Sequence, residues 1–356
     1  MEKIEHEKVP GTSSKLQNQS EKTVAGKKSK YDKGLSVLEQ YDLSSENTFR
    51  GRGTLLCQTS EGLKMIQPYT GSEKHLEKIN RILKHLQNCG HHNLDLICPN
   101  KENALISTDS EGYTYLVKNW FPDRECDVRS EKDLLECMGR MARLHKDMFL
   151  QVEDTCKEEN LLVEYEKHNQ QLKKIRFYIR HRKQKNAFEY LYLNSVEYYL
   201  ERGVQAYENL KDSSYEKKRN CDVAAGSICH GMCNQHNFLM TPDGATLVNF
   251  GDFFVGNHMA DVAQFLRKIM EKQNWNPMLA GKMLDRYDAV FPFDDTQWEQ
   301  LKVRMAYPEK YWKIANFYYN NNKAFLPEKN MEKLELLIHQ EQKWINFYYA
   351  VFGEKS

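Results

Sequence analysis

The chain holds no apolar run near the roughly 18 residues that a membrane-crossing helix needs. No membrane insertion is therefore expected. Its opening stretch, MEKIEHEKVPGTSSKLQNQSEK, lacks the apolar core of a signal peptide, so synthesis in the cytoplasm is expected. Neither sign of charge dominates: 51 Lys and Arg face 50 Asp and Glu, leaving no overall field to draw nucleic acid or an anionic lipid surface. The nine cysteines include no C-x-x-C pair, and an odd count argues against a disulfide framework. Cys229, His230 and Cys233 stand close together, but no second pair at zinc-ligand spacing follows. Buried thiols are the better reading. No internal repeat is visible.

What is present divides into three parts. Residues 1–30 are polar and rich in Lys, Ser and Gln, and cannot bury enough surface to offset chain entropy, so a disordered tail is expected. Residues 31–121 read mainly as short strands. FRGRGTLLCQTSEGLKMIQPY reads as strand, turn and strand about Ser60-Glu61-Gly62. The next segment has helical spacing, with Leu76, Ile79, Leu83 and Leu86 on one face and Cys89-Gly90 at its end. A second hairpin turns at Asp109 to Gly112. Residues 122–356 read as helical. Ser130 and Asp133 resemble a capping box ahead of a Leu134, Met138, Met141, Leu144 stripe. A short hairpin turns at Pro242-Asp243-Gly244, Asp261 is placed as the cap of a following helix, and one tail helix is expected after Pro327.

Within the helical part, residues 228–240 read ICHGMCNQHNFLM. A small sheet lobe, a large helical lobe and a His-Gly loop before a hairpin form the kinase-like plan. RGRG at 50–53, GSEK at 71–74, RECD at 124–127, ICHG with NQHN at 228–237, and AYPEKYWKIANFYY at 306–319 carry a more specific likeness. Over about residues 31–352 the chain resembles the CotS family of bacterial spore-coat proteins, within the aminoglycoside-phosphotransferase and choline-kinase-like group. The resemblance implies an α+β, bilobal protein-kinase-like fold. Its N-lobe would be a small antiparallel β-sheet with one helix, and its C-lobe large and mainly helical. It further implies a place in the spore coat, with other coat proteins as partners. Tyr311, Tyr318, Tyr319, Tyr348 and Tyr349 are candidates for packing or assembly there.

Phosphoryl transfer needs a positioned phosphate, a metal held by hard oxygens and a carboxylate that takes the acceptor's proton. The active pattern H-G-D-x-x-x-x-N supplies the base and a metal-binding Asn, and a later hydrophobic-D-F/W stretch supplies the main metal Asp. Here His230, Gly231 and Asn237 match, but Met232 stands at the base position. Val248-Asn249-Phe250 puts an amide where the metal carboxylate belongs. Loss of a general base alone costs roughly 10²- to 10⁴-fold in rate. By resemblance, Lys64 is the phosphate-pairing lysine, with Glu73 or Glu77 as its partner. Gly51 and Gly53 are candidates to approach a phosphate, and Trp120 closes the hinge beside an adenine. Asn237 and Asn249 are the candidate metal ligands, and Asp261 braces the loop. Asp252, Asp243 and His236 are weaker candidates for compensating groups. The expected protein is a degenerate kinase-like coat component. An ATP-dependent small-molecule phosphotransferase with an altered Mg²⁺ site, or an ATP-binding switch without turnover, are the alternatives.

Overall fold

The computed structural model describes residues 34–353 apart from 52, 123, 154–155 and 321–327, so the tail expected at 1–30 lies outside the described residues. The N-lobe opens with a meander: β1 (Ser45–Gly51), β2 (Thr54–Thr59) and β3 (Gly62–Pro68), antiparallel throughout. The stretch read as one strand before Ser60 is therefore two. Gly51 and Gly53 flank the β1–β2 connection, where Gly51 pairs with Thr54 and Gly53 takes φ +75°. A left-handed backbone position is where glycine is favoured.

Helix α1 (Glu73–Asn88) starts at Ser72, whose Oγ accepts the His75 N–H at 3.2 Å. Leu76, Ile79, Ile82, Leu83 and Leu86 are all buried. β4 (Ile97–Cys98), β5 (Ser107–Thr108) and β6 (Thr114–Asn119) complete the sheet, in the order β1-β2-β3-β6-β4 with β5 also on β6. A 3₁₀ turn at Leu35–Gln40 leads to Tyr41; Val37, Leu38 and Tyr41 cover one face, against Cys57, Ile66, Tyr115 and Val117. The other face meets the C-lobe.

The C-lobe runs β7 (Arg124–Glu125), α2 (Glu131–Asp147), α3 (Leu161–Arg180), α4 (Ala187–Asp212) and α5 (Tyr215–Ala225). It continues through β8 (Ile228–Cys229), β9 (Phe238–Thr241), β10 (Gly244–Leu247), β11 (Phe254–Val255) and α6 (Met259–Lys272). Helices α7 (Pro277–Asp288), α8 (Asp295–Ala306), α9 (Glu309–Asn320), α10 (Glu328–His339) and α11 (Glu341–Phe352) follow. The α2 stripe Leu134, Met138, Met141 and Leu144 packs in one core with Val262, Phe265, Leu266 and Ile269 of α6. The single tail helix expected after residue 327 is two, divided at Gln340, which is buried and donates to the Glu271 carbonyl at 3.2 Å. Tyr311 and Tyr318 belong to a second core between α4 and α9, not to a surface, whereas Tyr349 is exposed. Among the described residues no helix is long and apolar enough to cross a membrane.

Candidate functional site

The loop between β8 and β9 is held from below by Asp261. One carboxylate oxygen accepts the His230 N–H at 2.6 Å and His145 Nε2 at 3.2 Å; the other accepts the Gly231 N–H at 2.9 Å. Asp261 is not the cap of α6, because the cap position is His258 and Asp261 lies in the first turn. Burial pushes its carboxyl up, yet the His145 hydrogen bond and the neighbouring His145 and His230 outweigh this and bring it to about 2. Gly231 has φ +83°, and a Cβ there would collide with the Asp252 carbonyl. His230 is fully buried; its Nε2–H donates to the Val248 carbonyl at 3.0 Å, and its Nδ1 accepts the Met232 N–H at 3.2 Å. Burial lowers the His230 pKa, in keeping with a neutral ring.

This bracing presents position 232 to solvent: Met232 is 42% exposed. Its polar contacts are all main-chain, since its carbonyl accepts Asn234 Nδ2 at 3.1 Å and Asn237 Nδ2 at 2.8 Å. A thioether there has no proton to exchange. Asn249 stands across from Asn237, in the left-handed region at φ 69°. Its Nδ2 donates to Asn237 Oδ1 at 3.0 Å, so the two candidate metal ligands are brought together. Neither oxygen is idle, however. Asn237 Oδ1 carries that amide, and Asn249 Oδ1 accepts the Lys118 ammonium at 2.7 Å.

Lys118 was expected only to lend its backbone to the hinge segment Lys118-Asn119-Trp120, so its side-chain role was missed, and Lys64 does not do what was expected of it. Residues paired across antiparallel strands share a face, and Met65 pairs with Lys118 while Lys64 pairs with Asn119. Met65 packs with Leu239 and Val248 of the C-lobe, so the Met65–Lys118 face is the cleft face. Lys64 is on the other, where its ammonium donates to Asn119 Oδ1 at 2.8 Å. Nor do Glu73 and Glu77 supply the acid; both are exposed on α1. The carboxylate is Asp95, buried in the loop after α1, whose Oδ2 lies 3.0 Å from Lys118 Nζ and accepts the Asn249 N–H at 3.0 Å. The signal available in the sequence was a lone lysine in the apolar run YLVKNW.

At the metal position the loop offers amides where magnesium calls for carboxylates. Leu56, Met65, Trp120, Leu239 and Val248 form one buried apolar cluster between sheet and hairpin. The Trp120 N–H is given to the Leu63 carbonyl at 2.8 Å. Gly51 and Gly53 are explained by their turn alone: a Cβ at Gly51 would press on Leu56, and Gly53 is the left-handed residue. Mg²⁺ calls for hard, anionic oxygens. Here the two amide oxygens are occupied, one of them by a cation.

The weaker candidates are placed as follows. His236 is tied to Glu125 and Gln235, each at 2.6 Å, and Asp243 lies on the exposed β9–β10 turn. Asp252 is exposed beside Gly231 and lines a cleft of about 930 Å³ that runs between Gly251–Phe254, α3, α6 and α9. Arg124 of the RECD stretch grips Asp133 at the start of α2, joining β7 to that helix.

A small antiparallel sheet with one helix, a hinge strand and a braced His-Gly loop define a bilobal, kinase-like fold of the aminoglycoside-phosphotransferase type. Solved structures agree. An aminoglycoside phosphotransferase from Alicyclobacillus acidocaldarius matches with a TM-score of 0.81 at 18% identity, over 89% of this chain and 94% of that one. Spectinomycin phosphotransferase APH(9)-Ia, solved with ADP and spectinomycin, matches at 0.60 and 11%, over 90% and 98%. At these identities the likeness is one of fold. Residues 35–350 match the family model described as "Spore coat putative kinase YutH", and the chain belongs to that family. Spore coat protein S of Bacillus subtilis (strain 168) is 25% identical over 164 residues, 46% of this chain. The chain spans about half the length of that curated relative, 47%.

Proposed function

We propose that this protein is a kinase-like component of the spore coat that does not transfer phosphate and serves as a folded, assembling part. The observation that carries this is the Lys118–Asn249–Asn237 chain: a phosphotransferase needs a metal carboxylate here, and the chain offers amides with an ammonium on one of them. Met232 removes the base from the same step. Family membership supports a location in the coat and suggests other coat proteins as partners. The test is a thermal-shift titration with ATP and Mg²⁺, paired with a phosphate-transfer assay over a panel of hydroxyl acceptors. No shift at millimolar nucleotide and no transfer are expected, because a ligand that binds only the folded state would raise stability. Turnover above the uncatalysed rate sinks the reading.

One observation favours a phosphotransferase instead. Asp252 places a carboxylate on the rim of the 930 Å³ cleft, next to the loop. Metal-dependent transfer that is abolished by Asp252→Asn would establish that alternative.

A further inference from the structure

The polar network between the lobes is charge-balanced without a metal. Lys118 and Asp95 are 5% and 3% exposed and form a direct pair at 3.0 Å. The groups bonded to them in turn, Asn249 and Asn237, are neutral. Among the described residues Asp95 Oδ1 has no hydrogen-bond partner, so the buried carboxylate depends on Lys118 for its charge compensation. A divalent ion on Asn249 Oδ1 would share that oxygen with an ammonium 2.7 Å away, with no additional anion to offset it.

We infer that the Lys118 ammonium stands in place of the divalent cation, so that the former metal position is a permanent internal latch between the two lobes. Lys118 comes from β6 of the N-lobe, Asn249 and Asn237 from the C-lobe, and Asp95 from the loop that follows α1. One cation thereby gathers segments that lie 131 positions apart in the chain. Asn249 is suited to this role and aspartate is not. Its oxygen accepts from lysine while its nitrogen donates to Asn237 Oδ1, and a carboxylate could not make the second bond. The inference rests on reading the cleft as non-catalytic, and it states what replaced the chemistry.

The test uses the full-length protein, with Mn²⁺ as the probe, followed by calorimetry and electron paramagnetic resonance. Wild type, Asn249→Asp and Lys118→Met should bind no Mn²⁺ in the cleft. Lys118→Met with Asn249→Asp frees two carboxylates, Asp95 and the new one, beside Asn237. It should bind one Mn²⁺ at a concentration at least ten-fold below any at which the other three proteins show cleft binding. Wild-type Mn²⁺ binding that Asn249→Ala removes would overturn the inference, as would a double variant with no gain.

Stability gives an independent arm should that double variant not fold. Lys118→Met should melt several degrees lower, since it strands a buried carboxylate. Lys118→Met with Asp95→Asn, which removes both charges together, should recover most of that loss. A Lys118→Met protein that melts like wild type overturns the latch. The outcomes also separate the two readings. Mn²⁺ in the wild-type cleft without phosphate transfer sinks only the latch, whereas an ATP-induced shift that Lys118→Met abolishes would make Lys118 a phosphate-binding residue and sink both.

Discussion

At position 231 the backbone leaves room for nothing but glycine. Gly231→Ala adds a Cβ at φ +83° against the Asp252 carbonyl, and is expected to destabilise the fold by more than about 2 kcal/mol in urea unfolding. The next residue behaves in the opposite way. Met232 is exposed and its polar contacts are main-chain, so Met232→Asp should unfold within about 0.5 kcal/mol of wild type. It should also leave the protein without phosphate transfer, because no metal carboxylate accompanies it; turnover in that single variant would contradict the account of Asn249. Asp261→Asn exchanges a carboxylate for an amide facing three donors, and a loss of about 2–4 kcal/mol is expected from the same unfolding measurement. Residue identity was the most legible layer of the sequence: the resemblance to the phosphotransferase pattern located Met232, Asn237 and Asn249. The facing of a lysine could not. Period-two alternation divides β3 and β6 into two faces, but which face meets the C-lobe is decided by tertiary packing. Lys64 and Lys118 lie on opposite faces.

Among the elements, α1 was legible because its apolar residues recur at helical spacing, with Ser72 before them and Gly90 after. Ser72→Ala should cost about 1 kcal/mol, measured by thermal melting. β1 was not legible: its residues are exposed or half-exposed, so no alternation marks it. The break between α10 and α11 was hidden too, since the apolar pattern runs through it and only the docking of Gln340 on Glu271 divides it. Buried histidines at the ends and walls of these elements set the pH response. Burial lowers His230, His258 and, to about 4, His168. In the unfolded chain each titrates near 6.5. The folded form therefore binds fewer protons below that value, and the stabilisation, complete above it, is lost as pH falls toward the folded values. Melting temperature should drop between pH 7 and pH 5, and His258→Gln should flatten the drop. Asp261 does not contribute there: its folded value of about 2 makes its share disappear only below the ordinary aspartate range.

Across the whole molecule, the two lobes are fastened at several places beyond Lys118. His75 Nε2 bonds the Gly251 carbonyl at 2.8 Å, and His85 Nε2 the Asp147 carbonyl at 2.8 Å. His91 Nε2 pairs with the Asp147 carboxylate at 2.9 Å, and Arg140 donates to the His92 carbonyl at 2.9 Å. Every one of these ties runs through α1 or the loop behind it. A single calorimetric transition is expected, with equal van't Hoff and calorimetric enthalpies; two resolved transitions would show lobes that fold separately. None of these ties was legible in the sequence, because each joins a histidine or arginine to a backbone or carboxylate oxygen tens of positions away. The bilobal plan itself was legible, since strands and helices are segregated along the chain.

The fastening along α1 has a mechanical consequence. The two halves are stitched along one seam. Pulled from its two ends in an optical trap, such a body should give way in one rip rather than opening like a jaw.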